Sequence, residues 1–353
     1  MNAEFWNNKK VFITGHSGFK GRWLVHWLLK NNAIVCGFSD TPFTDITDTE
    51  FSKSFSSIQA DIRNFDLLKE KIDFFQPDVI FHLAAQPLVR ESYVNPRESF
   101  NVNVMGTVNI LDISRDLKYH HATIIVTSDK CYQNDESGTP FNELDPLMGK
   151  DPYSNSKSCA ELVTYSYLHS FFNELKLPLA SVRAGNVIGG GDFSVDRIIP
   201  DFFKALQNKT QLVLRYPQAI RPWQFVLEPL NGYLMLAEKV YDDMSFSGSW
   251  NFGPRSENEV TVHELVSALN QKFNGAVDIQ IDASYSQGMS ESTYLKLDCK
   301  KSINFLKWKP FFNIEQTLEL ISKWYSLEID GGESLLETYR QIDYFENSIR
   351  TDS

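Results

Sequence analysis

The chain has 353 residues, 42% of them hydrophobic and 22% charged, with a formal net charge of −11. It is too apolar for a disordered chain and too acidic for a general binder of the nucleic-acid backbone. No apolar stretch is long enough to span a bilayer, and the opening MNAEFWNNKKVFITG lacks the regions of a signal peptide. The cysteines Cys36, Cys131, Cys159 and Cys299 are scattered, with neither a CxxC nor a zinc spacing. The expectation is a soluble cytoplasmic protein with free thiols and no metal. Its partners are expected to be small molecules, not nucleic acid or membrane.

Short β-branched runs alternate with helical patterns from the start. The predicted strands are Lys10–Thr14, Ile34–Phe38, Asp78–Leu83, Thr123–Thr127 and Ala180–Arg183. Helices are predicted at Gly21–Asn31, Phe65–Phe74, Val102–Asp116 and Ser156–Phe172. The strands are almost continuously apolar, as strands covered on both faces are, so the pattern predicts an α/β, Rossmann-type doubly wound parallel sheet. After Gly189 the alternation fades into Gly-, Pro- and aromatic-rich segments (GGGDFSVDRIIPDF, RYPQAIRPWQF). We therefore expect a dinucleotide-binding domain over 1–188, with a segment near 222–254 returning to it. A smaller, discontinuous C-terminal substrate-binding domain is expected over 189–335, and a loosely held polar tail over 336–353.

The motifs fall at the strand ends. Gly15-His16-Ser17-Gly18-Phe19-Lys20-Gly21 follows the first strand and opens a helix. Glycines there let the backbone approach a pyrophosphate seated on the helix N-terminus. The spacing is GxxGxxG, and in this the chain resembles the short-chain dehydrogenase/reductase family. That resemblance places His16, Phe19 and Lys20 beside the cofactor along with the glycines. Ser39 and Asp40 close the second strand. An acidic residue there bonds the adenosine ribose and repels a 2′-phosphate, which favours NAD over NADP. By the same resemblance Asp61 and Ile62 contact the adenine. Leu83, Ala84, Ala85 and Gln86 end the next predicted strand, where small residues let the backbone pass close to the cofactor. His82 is expected to be a satisfied core residue.

Tyr153 and Lys157 stand at i and i+4, on one helix face. An ammonium beside a phenol favours the phenolate, so Tyr153 can serve as a base. The strand Thr123–Thr127 ends on Ser128-Asp129-Lys130. Ligands of open α/β sheets bind at the carboxyl ends of strands, so these three would face the substrate. In the short-chain family this strand supplies the Ser of a Ser–Tyr–Lys triad. Sugar-nucleotide 4,6-dehydratases carry Thr-Asp-Glu there, the Asp protonating the departing 6-hydroxyl and the Glu taking the C5 proton. Ser-Asp-Lys resembles the CDP-glucose 4,6-dehydratases. So do FHLAAQPLVRESY, DPYSNSKSCAEL, SVRAGNVIGGGD and IRPWQFVLEPL, within a likeness running from about residue 5 to residue 325. A lysine at its ordinary pKa is protonated, so Lys130 acts as the C5 base only if burial or a cation such as Lys20 or Lys157 lowers it; otherwise it stabilises an enolate.

The resemblance further implies that Asn186 contacts the diphosphate or sugar and that Arg221 belongs to a phosphate-binding segment; Arg197, in the same irregular region, is expected to hold phosphate through its guanidinium, and Glu291 to Lys296, Tyr294 among them, to line the sugar site. It implies NAD as cofactor and a homodimer pairing through helices 102–116 and 156–172. The activity implied is dehydration of a nucleotide sugar, in the deoxysugar synthesis that serves a lipopolysaccharide O-antigen. A sugar-nucleotide epimerase or reductase, or an NAD-binding regulator, are the alternatives. An epimerase has no leaving group for Asp129 to protonate, and a regulator has no use for a phenolate.

Overall fold

The computed structural model describes residues 1–46, 50–282 and 294–351. Six strands in chain order form most of one parallel sheet: β1 (Lys10–Thr14), β2 (Ile34–Ser39), β3 (Phe55–Gln59), β4 (Val79–His82), β5 (Ala122–Val126) and β6 (Leu179–Arg183). A seventh strand, Gly248–Asn251, adds to the β6 edge, so the order is β3-β2-β1-β4-β5-β6 and then Gly248–Asn251. The chain winds outward from β1 in one direction, then returns to start again at β4. The break between β1 and β4 is the switch point at which such sheets bind ligands.

The near-continuous apolar strands are explained by the helices on both faces. Val11 and Ile13 of β1 point into one core with Trp23, Trp27, Leu230 and Ile321; Phe12 points into the other with Leu68, Ile72 and Ile110. Alternate residues of β1 thus enter two separate cores, and after the half-buried Lys10 every position of that strand is buried.

Helix boundaries differ from the predicted ones where side chains or wide turns intervene. The glycine-loop helix is Phe19–Lys30, with Gly18 at its N-cap. The predicted helix over 102–116 begins with a wide-turn stretch, Asn101–Met105, and continues as Gly106–Asp116. The helix predicted from Ser156 starts four residues earlier, as Pro152–Tyr167. Asp151 caps it by accepting from the Ser154 amide at 2.9 Å, and Pro152 suits its first turn. Tyr153 is therefore helical, one turn before Lys157.

Beyond the sheet, short strand pairs carry the remaining cleft wall: Leu212–Leu214 with Ile279–Ile281, and Ile220–Pro222 with Glu259–Thr261. The helix Leu227–Asp242 packs back against β5 and β6. The expected loose tail is corrected by the structure. Residues 334–351 form the helix Ser334–Thr351, which packs on Phe19–Lys30 and on Ile314–Ile329. Its polar composition hides a narrow apolar stripe, Ile342 and Phe345, both at most 1% exposed. Glu346 on the same side accepts from the Trp27 indole at 2.7 Å. Phe345→Ala, which removes a ring set edge-on to Trp27 at 5.7 Å, is expected to lower stability in urea unfolding. The expected loss is about 3–5 kcal/mol; an unchanged midpoint would restore the loose-tail reading.

Candidate active site

The carboxyl ends of the strands open into one cleft of about 570 Å³. Its floor at the switch point is set by how β1 ends. The Gly15 amide donates to the Phe38 carbonyl at 2.8 Å, and Gly15 turns with φ +69°. A Cβ at Gly15 would lie 2.6 Å from the Ala84 nitrogen, and one at Gly21 would lie 2.2 Å from the Gly15 carbonyl oxygen. Only glycines let loop, helix and β4 meet this closely. The first turn of Phe19–Lys30, with its unpaired amides, then points at the cleft.

This wall fits an extended dinucleotide. The glycine cradle has no room for side chains, and the helix start favours an anion. Further along, Ser39 accepts from the Ser17 hydroxyl at 2.6 Å, and Asp40 is exposed on the rim. Asp61 and Ile62 follow β3, and Leu83, Ala84 and Ala85 follow β4; all five line the cleft. Arg63 grips the Asp61 carboxylate, Nε to Oδ1 at 2.9 Å, and holds that carboxyl below its usual range.

Two residues expected at the cofactor have side chains elsewhere. The His16 ring lies over β2, where Gly37 leaves space for it: a Cβ there would sit 2.2 Å from the imidazole. His16 Nε2 pairs with Ser57 Oγ at 2.7 Å, and the ring stacks on Phe43. Gln86 turns its amide into its own loop, donating to Ser99 Oγ at 2.7 Å, while its backbone amide donates to Asn103 at 2.8 Å. It shapes the turn after β4 and leaves the wall to Ala84 and Ala85. His82 is a satisfied core residue, paired with Thr14 at 2.7 Å and Thr107 at 3.3 Å.

The catalytic corner is built where β5 stops. Ser128 Oγ accepts from the Lys130 amide at 3.2 Å and so caps a single turn over Asp129–Cys131. The Ser128 hydroxyl also donates to Asp129 Oδ1 at 3.0 Å, and its nearness to the Tyr153 phenol works against the rise in that group's proton affinity. Lys157 is buried one helical turn beyond Tyr153, its Nζ 3.5 Å from the Val126 carbonyl. Ser128, Asp129, Lys130, Tyr153 and Lys157 all face the cleft. Gly185, at the end of β6, leaves the space that Asp129 fills: a Cβ there would lie 1.7 Å from its Oδ2.

Removal from water sets the proton affinities here. It pushes the Tyr153 phenol up to about 12, against the Ser128 hydrogen bond and Arg197. It pushes the Lys157 amine down to about 8, against Glu161. Lys20, reaching in from the glycine-loop helix, is brought down to about 7 by burial and by the neighbouring Lys157 and Arg197. The Asp129 carboxyl is raised by burial, with Lys130 and Ser128 opposing. The corner thus holds a carboxylic acid that favours its proton beside amines that release theirs easily.

The opposite wall carries Asn186, Arg197 and Arg221. Asn186 takes φ +43°, and Arg197 pairs with Asp192 at 3.0 Å. Tyr294 is not on this wall; its hydroxyl donates to Glu259 Oε2 at 3.1 Å, because Glu259 and the Lys296 paired with it draw the ring outward. Glu291, Ser292 and Thr293 lie outside the described residues. Sequence reasoning missed Arg90 and Arg215, which line the cleft from two sides and share Asp196 Oδ1 at 3.1 Å each. Their signal was present: each is a lone arginine closing an apolar run, PLVR and LVLR.

Comparison with known proteins agrees with this geometry. The family profile for GDP-mannose 4,6 dehydratase matches residues 12–321. A CDP-glucose 4,6-dehydratase of Salmonella typhimurium is 42% identical, over 99% of this chain and 100% of that protein. Among solved structures, the Mth375 epimerase of Methanothermobacter thermautotrophicus superposes with a TM-score of 0.79 at 22% identity, covering 97% of this chain and 96% of that one. A dTDP-glucose 4,6-dehydratase of Bacillus anthracis in complex with NAD superposes with a TM-score of 0.75 at 21% identity, covering 93% and 99%. At these identities the two structures speak for the fold.

Burial also holds the His16 imidazole down to about 4. An unfolded chain protonates it near 6.5, so folding loses stability as pH falls from 6.5 to 4 and keeps it above. Urea unfolding at pH 7.5 and pH 4 is expected to show a loss of about 3 kcal/mol from this residue. That portion should be absent in His16→Gln.

Proposed function

The chain belongs to the GDP-mannose 4,6-dehydratase family, and on that premise we propose that it dehydrates CDP-glucose to CDP-4-keto-6-deoxyglucose. One observation carries the reading: Asp129, a buried carboxyl with raised proton affinity, accepts a hydrogen bond from Ser128, and both line the cleft with Tyr153. An acid held next to an oxidising Ser–Tyr–Lys site is what loss of a hydroxyl needs and what epimerisation does not.

The cofactor is NAD, which when bound accepts hydride from C4 of the sugar and gives it back at C6. The residues proposed to hold it are Gly15, Gly18, Phe19 and Gly21 through their backbone, with Ser39 and Asp40 at the ribose and Asp61 and Ile62 at the adenine. Tyr153 accepts the proton of the 4-hydroxyl. Its phenol holds that proton tightly in the unliganded cleft, so the Lys157 ammonium and the Ser128 hydroxyl are needed to favour the phenolate. Oxidation at C4 acidifies the hydrogen on C5. That proton leaves, the C6–O bond breaks, and Asp129 donates the proton that turns the 6-hydroxyl into water. Lys130 faces the charge developing at C5. It is proposed either to accept the C5 proton itself or to stabilise the enolate while water accepts that proton.

Asn186, Arg197 and Arg221 are assigned to the diphosphate, where guanidinium groups act bidentately. Arg90 and Arg215 add positive charge across the cleft. The cytosine preference rests on the 42%-identical relative. The protein is proposed to work in the cytoplasm, supplying deoxysugar synthesis for an O-antigen, as a homodimer. The outer faces of Gly106–Asp116 and Pro152–Tyr167 would form the interface, since Leu162 and Tyr165 on the second are 52% and 64% exposed. Among the described residues, no helix is long and apolar enough to cross a membrane.

Incubation with CDP-, dTDP-, GDP- and UDP-glucose in turn, read by product mass, is expected to show loss of one water from the CDP sugar alone. Loss from another nucleotide would keep the chemistry and overturn the base preference; loss from none would overturn both. Asp129→Asn is expected to slow keto-sugar formation by about 10²–10⁴-fold. Its substrate should still be oxidised at C4, seen as the near-ultraviolet absorbance of reduced nicotinamide. Equal loss of both signals would remove Asp129 from the leaving-group role.

A further inference from the structure

Behind the catalytic corner lies an ion pair that the dehydration chemistry does not use. Glu161 and Arg183 are each 2% exposed, with Oε2 and Nη2 2.7 Å apart. Two charges are tolerated in such a place when most of their remaining hydrogen-bonding groups are met, and of this pair's groups only Arg183 Nε lacks a partner among the described residues. Glu161 Oε2 also accepts from Ser181 at 2.8 Å and Ser249 at 3.3 Å, while Oε1 accepts from the Thr127 hydroxyl. Arg183 Nη1 donates to the Tyr132 hydroxyl at 2.6 Å and to the Glu143 carbonyl at 3.2 Å.

These partners bracket the catalytic turn. Thr127 directly precedes Ser128, and Tyr132 directly follows the turn Asp129–Cys131. Both ends of Ser128-Asp129-Lys130 are therefore tied to one buried pair. Glu161 also continues a row: Tyr153, Lys157 and Glu161 are spaced by four on one helix, so they share a face. We propose that Glu161 is a positioning residue of the catalytic corner, fixing the end of β5 through Thr127 and keeping Lys157 in the ammonium form that favours a phenolate at Tyr153.

The charges around Lys157 support this. On its own helix are Tyr153 and Glu161. Cys131 faces it from the turn after β5, Lys20 from the glycine-loop helix, and His82 from β4. Burial keeps the Cys131 thiol and the His82 imidazole neutral, and Lys20 acts against a charged Lys157. Glu161 is the carboxylate that offsets them. Arg183 in turn keeps Glu161 ionised, its carboxyl lying below the usual range.

The proposal rests on Tyr153 and Lys157 as the proton-transfer pair, so its test is read apart from turnover. The Lys157 Cε resonance is titrated in lysine-¹³C-labelled protein and assigned with Lys157→Met. Glu161→Gln is expected to lower its midpoint by about one pH unit; Glu161→Asp, which keeps the charge, should stay near wild type. In keto-sugar formation the alkaline limb of the pH profile should move down with it, with the rate recovering toward lower pH. An unmoved midpoint, or a uniform drop in rate at every pH, overturns the proposal. Should Glu161→Gln not fold, Glu161→Gln with Arg183→Met leaves no unpaired buried charge, and its midpoint is expected to move the same way. If the chain dehydrates no sugar, the resonance still titrates, so the two readings fail separately.

Discussion

The rest of the structure depends on the close approach of backbones where β1 ends. Gly15 sits between the end of β2 and the start of the loop after β4, its amide bonded to Phe38 and the Thr14 carbonyl receiving the Leu83 amide. Thr14 adds a hydroxyl that pairs with His82 and accepts from the Ala84 amide at 3.2 Å. With both neighbours this near, no side chain fits at Gly15, and the chain is turned into the glycine-loop helix at the one place where the sheet order breaks. The cleft, its anion-favouring helix start and its narrow floor all follow from that junction.

From there the chemistry is a matter of what is removed from water. The protein as a whole is acidic, yet the cleft gathers Lys20, Lys157, Arg197 and Arg221. These cations stand among the cleft's own acids, Asp61, Asp192 and Asp196 included, so the lining is close to balanced in a strongly acidic protein, and that suits a nucleotide sugar, whose diphosphate is anionic. Desolvation pushes acids and bases in opposite directions, so a single burial effect raises the proton affinity of Asp129 and lowers that of the Lys20 and Lys157 amines. Enclosure and a few charged neighbours supply the tuning.

Much of this was legible in the residues. The parallel sheet followed from near-continuous apolar runs, and the strand ends carried the residues that line the cleft because ligands of this architecture meet the sheet there. Ser128-Asp129-Lys130, Tyr153 and Lys157 were each visible as polar groups at fixed distances from a strand or along a helix. What misled was composition taken without packing. Residues 334–351 look like a polar tail, but Phe345 packs on both Trp27 and Phe312, and Ile342 is buried. His16 sits inside a cofactor motif, yet Gly37 opens a place for its ring on the other side.

The sequence by itself determined the periodicities, the glycine spacing and the order of Ser128-Asp129-Lys130, Tyr153 and Lys157 along the chain, because those depend on neighbours close in sequence. Only the tertiary structure decided which way His16, Gln86 and Tyr294 point, and that Gly185 from β6 makes room for Asp129. It alone joined Glu161 to Arg183 and brought Arg90 and Arg215 to one carboxylate. These outcomes depend on space left by residues tens to hundreds of positions away, and no local pattern encodes a vacancy that another strand provides.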